Sequence, residues 1–317
     1  MEKKGKNIRK RKDTFHDFAL AWLQHIREKR KYSTYVKYRD LYDRYLTELD
    51  NMLFTELSEQ MITERLSRLN EQESPLLKYS VFGILNQMIR FGNEKSGYSV
   101  MPLNRKRENT RKKAVEIFNI SEQQKLLEVL YDRADSYKKG ILICLFTGLR
   151  LGEISALKWS DINLETKTLC VNMTVQRIAV DGYPTKTILY ENPPKSDCSL
   201  REIPLSDSMI AVLQSIPRCG IYVLNGDRPM EPRTYENKLK SYLKEAGVAP
   251  KNFHTLRHTF ATNCIESGMD VKSLSEILGH SDVQLTLNRY VHPSIETKRH
   301  HMNSLCSVYG HLHPFAE

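Results

Sequence analysis

The chain has 317 residues, 40% hydrophobic and 27% charged, with a formal net charge of +10. That length suits two domains rather than one. No apolar run approaches the ~20 residues that cross a bilayer, and the basic start MEKKGKNIRKRKD lacks the apolar stretch of a secretion signal. No membrane partner and a cytoplasmic location are therefore expected. The charge is uneven: residues 1–113 carry 25 Lys/Arg against 15 Asp/Glu, and the remainder carries 23 of each. A basic front half points to a polyanionic partner gripped from that side, with a merely solvated basic surface as the alternative. The six cysteines (Cys144, Cys170, Cys198, Cys219, Cys264, Cys306) form no CxxC pair, which fits neither a zinc ribbon nor a disulfide framework. Buried, reduced thiols are expected.

Residues 1–13 read as a short basic tail. From Thr14 the spacing of Phe15, Phe18, Ala19, Trp22, Leu23 and Ile26 predicts a helix. A second is expected near Ser33, carrying Tyr38, Leu41, Tyr42, Tyr45, Leu46 and Leu49. A third starts about Ser58 with Ile62, Leu66 and Leu69, and a fourth about Ser74 with Leu77, Val81, Leu85, Met88 and Ile89. Four amphipathic helices over residues 14–101 read as a small helical bundle. A polar, basic linker follows at 102–115. Its Arg105, Lys106, Arg107, Arg111, Lys112 and Lys113 read either as a solvated connector or as phosphate contacts, and the second is favoured.

The second domain, 116–317, opens with Ser121 as the expected N-cap of a helix carrying Leu126, Leu127 and Leu130. The apolar run GILICLFTGLR leads to a helix over 151–160, with Trp159 on its core side. Segments 167–178, 185–191 and 199–205 read as one small antiparallel sheet. From Tyr235 the pattern is helical again. The fold class is mainly α: a four-helix bundle and an α-rich domain with a small sheet. No Gly-rich loop of the Walker type is present.

Three segments carry the chemistry: TGLRLGEISALKWSDI (147–162), HTLRHTFAT (254–262) and LGHSDVQLTLNRYVH (278–292). In order, spacing and flanking residues they resemble the tyrosine recombinase (phage integrase) family. The resemblance covers residues 116–300 well and the region 14–100 by architecture only. It implies a site-specific recombinase that cuts and rejoins duplex DNA through a 3′-phosphotyrosine on Tyr290, with no cofactor, in the integration, excision or inversion of a mobile or invertible element. Double-stranded DNA and a homo-oligomer, a tetramer on two paired sites, are the implied partners. Arg150, His254, Arg257 and His280 match the family's site positions, and Glu153 its acidic position. Lys195 matches the β-hairpin lysine that protonates the leaving 5′ oxygen, with Lys186 in reserve. A segment from about 294 to 317 would dock in trans. Only about thirteen residues precede Thr14, which leads one to expect a simple excision, inversion or resolution enzyme without an arm-binding domain.

The residues support this reading independently. A doubly charged transition state needs fixed positive charge, and arginine donates two parallel bonds to phosphate without losing its own charge. His254 and Arg257, three apart, share one helical face. Gly279 would end a helix and turn His280 into the site. A phenol, ordinarily near pKa ~10, needs cations or a base to attack at neutral pH. His254 and His258 are spaced like a metal pair, but no glutamate lies between them and no third ligand follows, so no metal is expected. His258 is read as packing or hydrogen-bonding behind the site, His292 as structural, and His300, His301, His311 and His313 as solvated. The alternatives are a relaxing topoisomerase or a catalytically silent DNA-binding protein.

Overall fold

The computed structural model describes residues 13–66, 73–104, 115–180, 187–193, 199–291 and 295–308. The chain divides into two compact units, 1–113 with 178–187, and 114–177 with 188–317.

In the first unit, α1 (Phe15–Lys29) begins at Thr14, whose side chain exchanges bonds with Asp17 in a capping box. α2 (Tyr32–Tyr45) passes into a 3₁₀ turn, Thr47–Leu49, so the predicted stripe tightens but keeps Leu46 and Leu49 inside. α3 (Glu59–Arg65) and α4 (Pro75–Ser96) start at the serines expected, with Ser58 and Ser74 accepting from the first-turn amides. Their apolar faces close one core around Phe15, Trp22, Leu46, Phe54, Leu85 and Met88. Two asparagines, Asn86 and Asn93, bond both backbone groups of Leu103 and of Val100. They pin the segment leaving α4 along its own helix, and that segment runs toward the basic linker. The linker residues 105–113 lie outside the described residues.

In the second unit, α5 (Ile120–Tyr131) is capped by Asn119, not Ser121. Asn119 and Glu122 satisfy each other's amides, and Ser121 falls inside the first turn. α6 (Ser136–Thr147) is apolar on nearly every side and forms the centre of the core with α5, α8 (Asp207–Gln214) and α9 (Pro232–Glu245). α7 is only Leu151–Ala156, shorter than expected, because Leu157 turns extended and a 3₁₀ turn, Trp159–Asp161, follows. Trp159 is therefore half-buried, with the Arg218 guanidinium 4.8 Å from its ring, rather than fully in the core.

The expected single sheet is two. β1 (Ile162–Asn163), β2 (Thr168–Val171) and β5 (Arg201–Pro204) form one antiparallel sheet, and β3 (Thr174–Ala179) pairs with β4 (Thr187–Asn192) in another. The break at Asn172 and Met173 sends the two halves of segment 167–178 to different sheets. Register places Leu169 opposite Ile203, both buried in the main core. α10 (His254–Glu266), α11 (Val271–Leu278), α12 (Val283–Tyr290) and α13 (Ile295–Val308) complete the unit. α10, α11 and α12 share a smaller core of Ala261, Cys264, Leu274 and Leu278, onto which the Tyr290 ring packs. Cys144 and Cys264 are buried free thiols, but Cys170 is half-buried and Cys219 exposed, so the expectation of uniformly buried thiols fails at two of the described positions.

Candidate active site

Two helix ends build the site. α6 stops at Gly148 and α11 at Gly279, both left-handed (φ 67° and 63°), where a glycine has no Cβ clash. At Gly148 a Cβ would also sit 2.5 Å from the Phe260 ring. Each turn leaves carbonyls that point at an arginine. Arg257, on α10 and 1% exposed, donates Nη1 to Gly148 O (2.9 Å) and Nη2 to Leu278 O (2.6 Å). Arg150 donates Nη2 to Gly279 O (3.4 Å). The two guanidiniums are thus anchored on the adjacent carbonyls of Leu278 and Gly279 at the end of α11, Arg257 also on the Gly148 turn. Burial, then the charge of Arg150, lowers the Arg257 pKa to about 9, which still leaves it cationic at neutral pH.

Glu153 holds Arg150 from below. Arg150 is the N-cap residue of α7, and Glu153 takes both its backbone N–H (2.9 Å) and its Nη1 (2.6 Å). A second guanidinium, Arg201 on β5, forks onto the other side of the carboxylate, with Nη1 to Oε1 at 3.0 Å and Nη2 to Oε2 at 2.8 Å. Its Nε donates to Ile277 O (2.6 Å), tying β5 to the last turn of α11. Burial alone would raise the Glu153 pKa, but the Arg201 bonds and the charges of Arg201 and Arg150 outweigh it and hold it at about 2. A depressed carboxylate contributes stability above its ordinary value of 4.5, which is lost as the pH falls through about 2.

Arg201→Met is expected to cost about 3–5 kcal/mol, because it leaves a buried carboxylate with one cation where there were two. Its melting temperature should fall most at neutral pH and converge on that of the wild type as Glu153 is protonated. A loss that is the same at every pH would show packing, not charge, to be the cause.

His280 follows Gly279 and bonds through Nδ1 to the buried hydroxyl of Thr286 (2.8 Å). If Thr286 donates, the ring proton sits on Nε2, the nitrogen left for a ligand. His254 opens α10 and keeps solvent exposure. Partial burial, then Arg257, Arg150 and Arg289, lowers its pKa to about 4. Burial and the same three arginines lower that of His280 to about 4. Tyr290 ends α12, 7% exposed, with its Oη 2.6 Å from His258 Nδ1. Burial raises its pKa, opposed by the charges of Arg257, Arg289 and Arg150.

Arg150, Glu153, His254, Arg257, His280 and Tyr290 therefore stand in one electrostatic neighbourhood. Lys195 and its reserve Lys186, with His292, lie outside the described residues. Among the described residues, no group of three His, Cys, Asp or Glu is placed to hold a metal ion, and no helix is long and apolar enough to cross a membrane. Sequence reasoning gave no role to Arg201, Thr286 or Arg289, and it did not foresee the bond between His258 and Tyr290. Arg201 did leave a signal. It stands two residues before the buried Ile203 and shares its face of β5, so a charged residue stands at an inward strand position and needs a buried partner.

The phage integrase family matches residues 110–297. The chain is 28% identical over 340 residues to a "Tyrosine recombinase XerC-like" protein of Caldanaerobacter subterraneus subsp. tengcongensis, covering 96% of this chain and 86% of that one. It is 26% identical over 213 residues to the "Transposase from transposon Tn916" of Enterococcus faecalis, covering 59% of this chain and only 50% of the transposase. A solved structure of the Tn1549 transposon integrase in complex with transposon right end DNA has a TM-score of 0.76 at 20% identity, covering 93% of this chain and 100% of that one. The chain belongs to the phage integrase family and is a tyrosine recombinase.

Proposed function

We propose that the protein is a site-specific recombinase that exchanges strands of duplex DNA through a 3′-phosphotyrosine formed on Tyr290. The observation that carries this is the seating of Arg257 and Arg150 on the carbonyls of Gly148, Leu278 and Gly279, in the electrostatic neighbourhood of the Tyr290 phenol. Arg150 and Arg257 bind the non-bridging oxygens of the scissile phosphate and stabilise the charge that develops at phosphorus. His280 donates Nε2–H, and His254 lies at the exposed rim where DNA arrives. Glu153 and Arg201 keep Arg150 and the α11 turn in place. Tyr290 displaces the 5′ oxygen, which is protonated by Lys195 (Lys186 in reserve). The freed 5′ hydroxyl of a partner duplex then reverses the step. One phosphoester replaces another of similar energy, so the exchange draws on no ATP.

Four protomers on two paired sites perform the exchange, with the segment after Tyr290 docking on a neighbour. The test is to search the DNA beside the coding sequence for inverted half-sites and to mix two labelled duplexes carrying the pair that the protein binds. Crossed products without ATP are expected. Relaxation of a supercoiled plasmid with no crossed product would overturn recombination in favour of a topoisomerase.

The basic surplus of residues 1–113 serves this reaction through phosphate contacts, including those of Arg105, Lys106, Arg107, Arg111, Lys112 and Lys113. Neutralising these six should weaken binding to specific and unrelated duplexes alike, with each lost contact reducing the slope of log affinity against log salt by ~0.9. Base discrimination should survive, since phosphate contacts position without reading sequence. An unchanged slope in a salt titration would make the linker a solvated connector.

A further inference from the structure

Tyr290 is held by a histidine other than His254 and His280, the two that match the family's site positions. His258 lies one helical turn after His254 on α10, and its Nδ1 is 2.6 Å from the Tyr290 Oη, 32 residues away in the chain. Both partners are withdrawn from solvent, His258 half-buried and Tyr290 7% exposed. The ring planes lie at 51° with centroids 5.7 Å apart, so the contact runs edge to hydroxyl and is not a stack. His254 and His258 form a T-shaped pair with ring centroids 4.4 Å apart. His258 thus touches both the exposed His254 and the proposed nucleophile.

We infer that His258 is the base that removes the phenolic proton of Tyr290 as it attacks phosphorus, an assignment that rests on reading Tyr290 as the nucleophile. With the phenol donating to Nδ1, the ring proton is on Nε2. As the Oη–P bond forms, the Oη–H bond breaks and its proton passes to Nδ1. The 5′ oxygen leaves with the P–O electron pair and takes a proton from the acid on the opposite side. When a 5′ hydroxyl attacks the phosphotyrosine, the His258 imidazolium returns the proton to Oη as the Oη–P bond breaks.

The groups facing His258 are cationic or neutral: His254 and Arg257 from α10, Arg289 from α12, and His280 from the turn after α11. Burial, then these neighbours, lowers its pKa to about 4, so the free site holds it neutral with a lone pair ready. A base that weak would be a poor acceptor alone. The arriving phosphate brings negative charge into the same neighbourhood and strengthens it at the moment of attack.

The experiment measures covalent adduct formation on a nicked duplex carrying the half-sites that the protein binds, across the neutral and alkaline range. His258→Asn keeps an oxygen near the Nδ1 position, able to accept the phenol's bond but not its proton. It is expected to react roughly 10²-fold more slowly or worse at neutral pH. Its rate should then rise about tenfold per pH unit toward the phenol's own range. Added imidazole should restore part of the rate to His258→Gly, while His254→Asn should slow the reaction without that change of pH profile. DNA affinity and melting temperature serve as folding controls. A His258→Asn enzyme that reacts at the wild-type rate, or more slowly with the wild-type pH profile, overturns the assignment. An adduct persisting in Tyr290→Phe would instead overturn the nucleophile itself, so the two failures are distinct.

Discussion

Tyr290→Phe is expected to bind its DNA with wild-type affinity and form no covalent adduct that survives a denaturing gel. The substitution is clean because the Tyr290 ring already packs as an apolar group on Ala261, Cys264, Leu274 and Leu278. Phenylalanine keeps that surface. What is lost is the Oη and its bond to His258, about 1 kcal/mol of stability for one hydrogen bond. The chemistry is lost entirely, because no other atom of the variant occupies the Oη position. The chain has 16 tyrosines, and only the spacing after LGH sets this one apart in the sequence. An adduct persisting in the variant, mapped by peptide analysis to another tyrosine, would sink the assignment.

The helical elements were legible because their signals are local. Thr14, Ser58 and Ser74 cap where a polar residue precedes an apolar stripe, and the stripes on α1 and α4 face inward as spaced. Errors came where two local signals competed or a partner was remote. Asn119 and Ser121 are both capping residue types, each with a capping-box partner three residues on (Glu122 and Gln124), and the structure uses Asn119 with Glu122. The one-sheet reading failed at Asn172 and Met173, since pairing is set by strands far along the chain and not by β-propensity. In the site, the motif spacing singled out Arg150, Arg257 and Tyr290 as candidates. It could not reveal that backbone carbonyls at two glycine turns seat the arginines, because those contacts join residues 109 and 129 apart in sequence. Arg201 was visible only as a strand residue. Its partner Glu153 is 48 positions away, and no periodicity links them.

Arg257→Lys is expected to slow cleavage by roughly 10²–10³-fold while DNA affinity changes little, because the lost donors act on charge that develops only in the transition state. Lysine keeps the charge but not the fork. Arg257 spends one bond on Gly148 O and one on Leu278 O, and its planar geometry lets the remaining N–H groups serve an anion at the same time. A single ammonium cannot span both carbonyls and still meet a phosphate oxygen. Arg257→Ala should be worse in a second way, leaving two buried carbonyls unpaired at about 1–3 kcal/mol each. Arg150 gives the contrasting case. Its side chain is 35% exposed, so Arg150→Ala should lose a comparable factor in rate with a smaller fall in melting temperature. Melting curves and single-turnover cleavage at saturating DNA, measured on the three variants together, separate chemistry from folding. A folded Arg257→Lys enzyme that cleaves at a near-normal rate would show that the guanidinium at this position only braces the two helix ends.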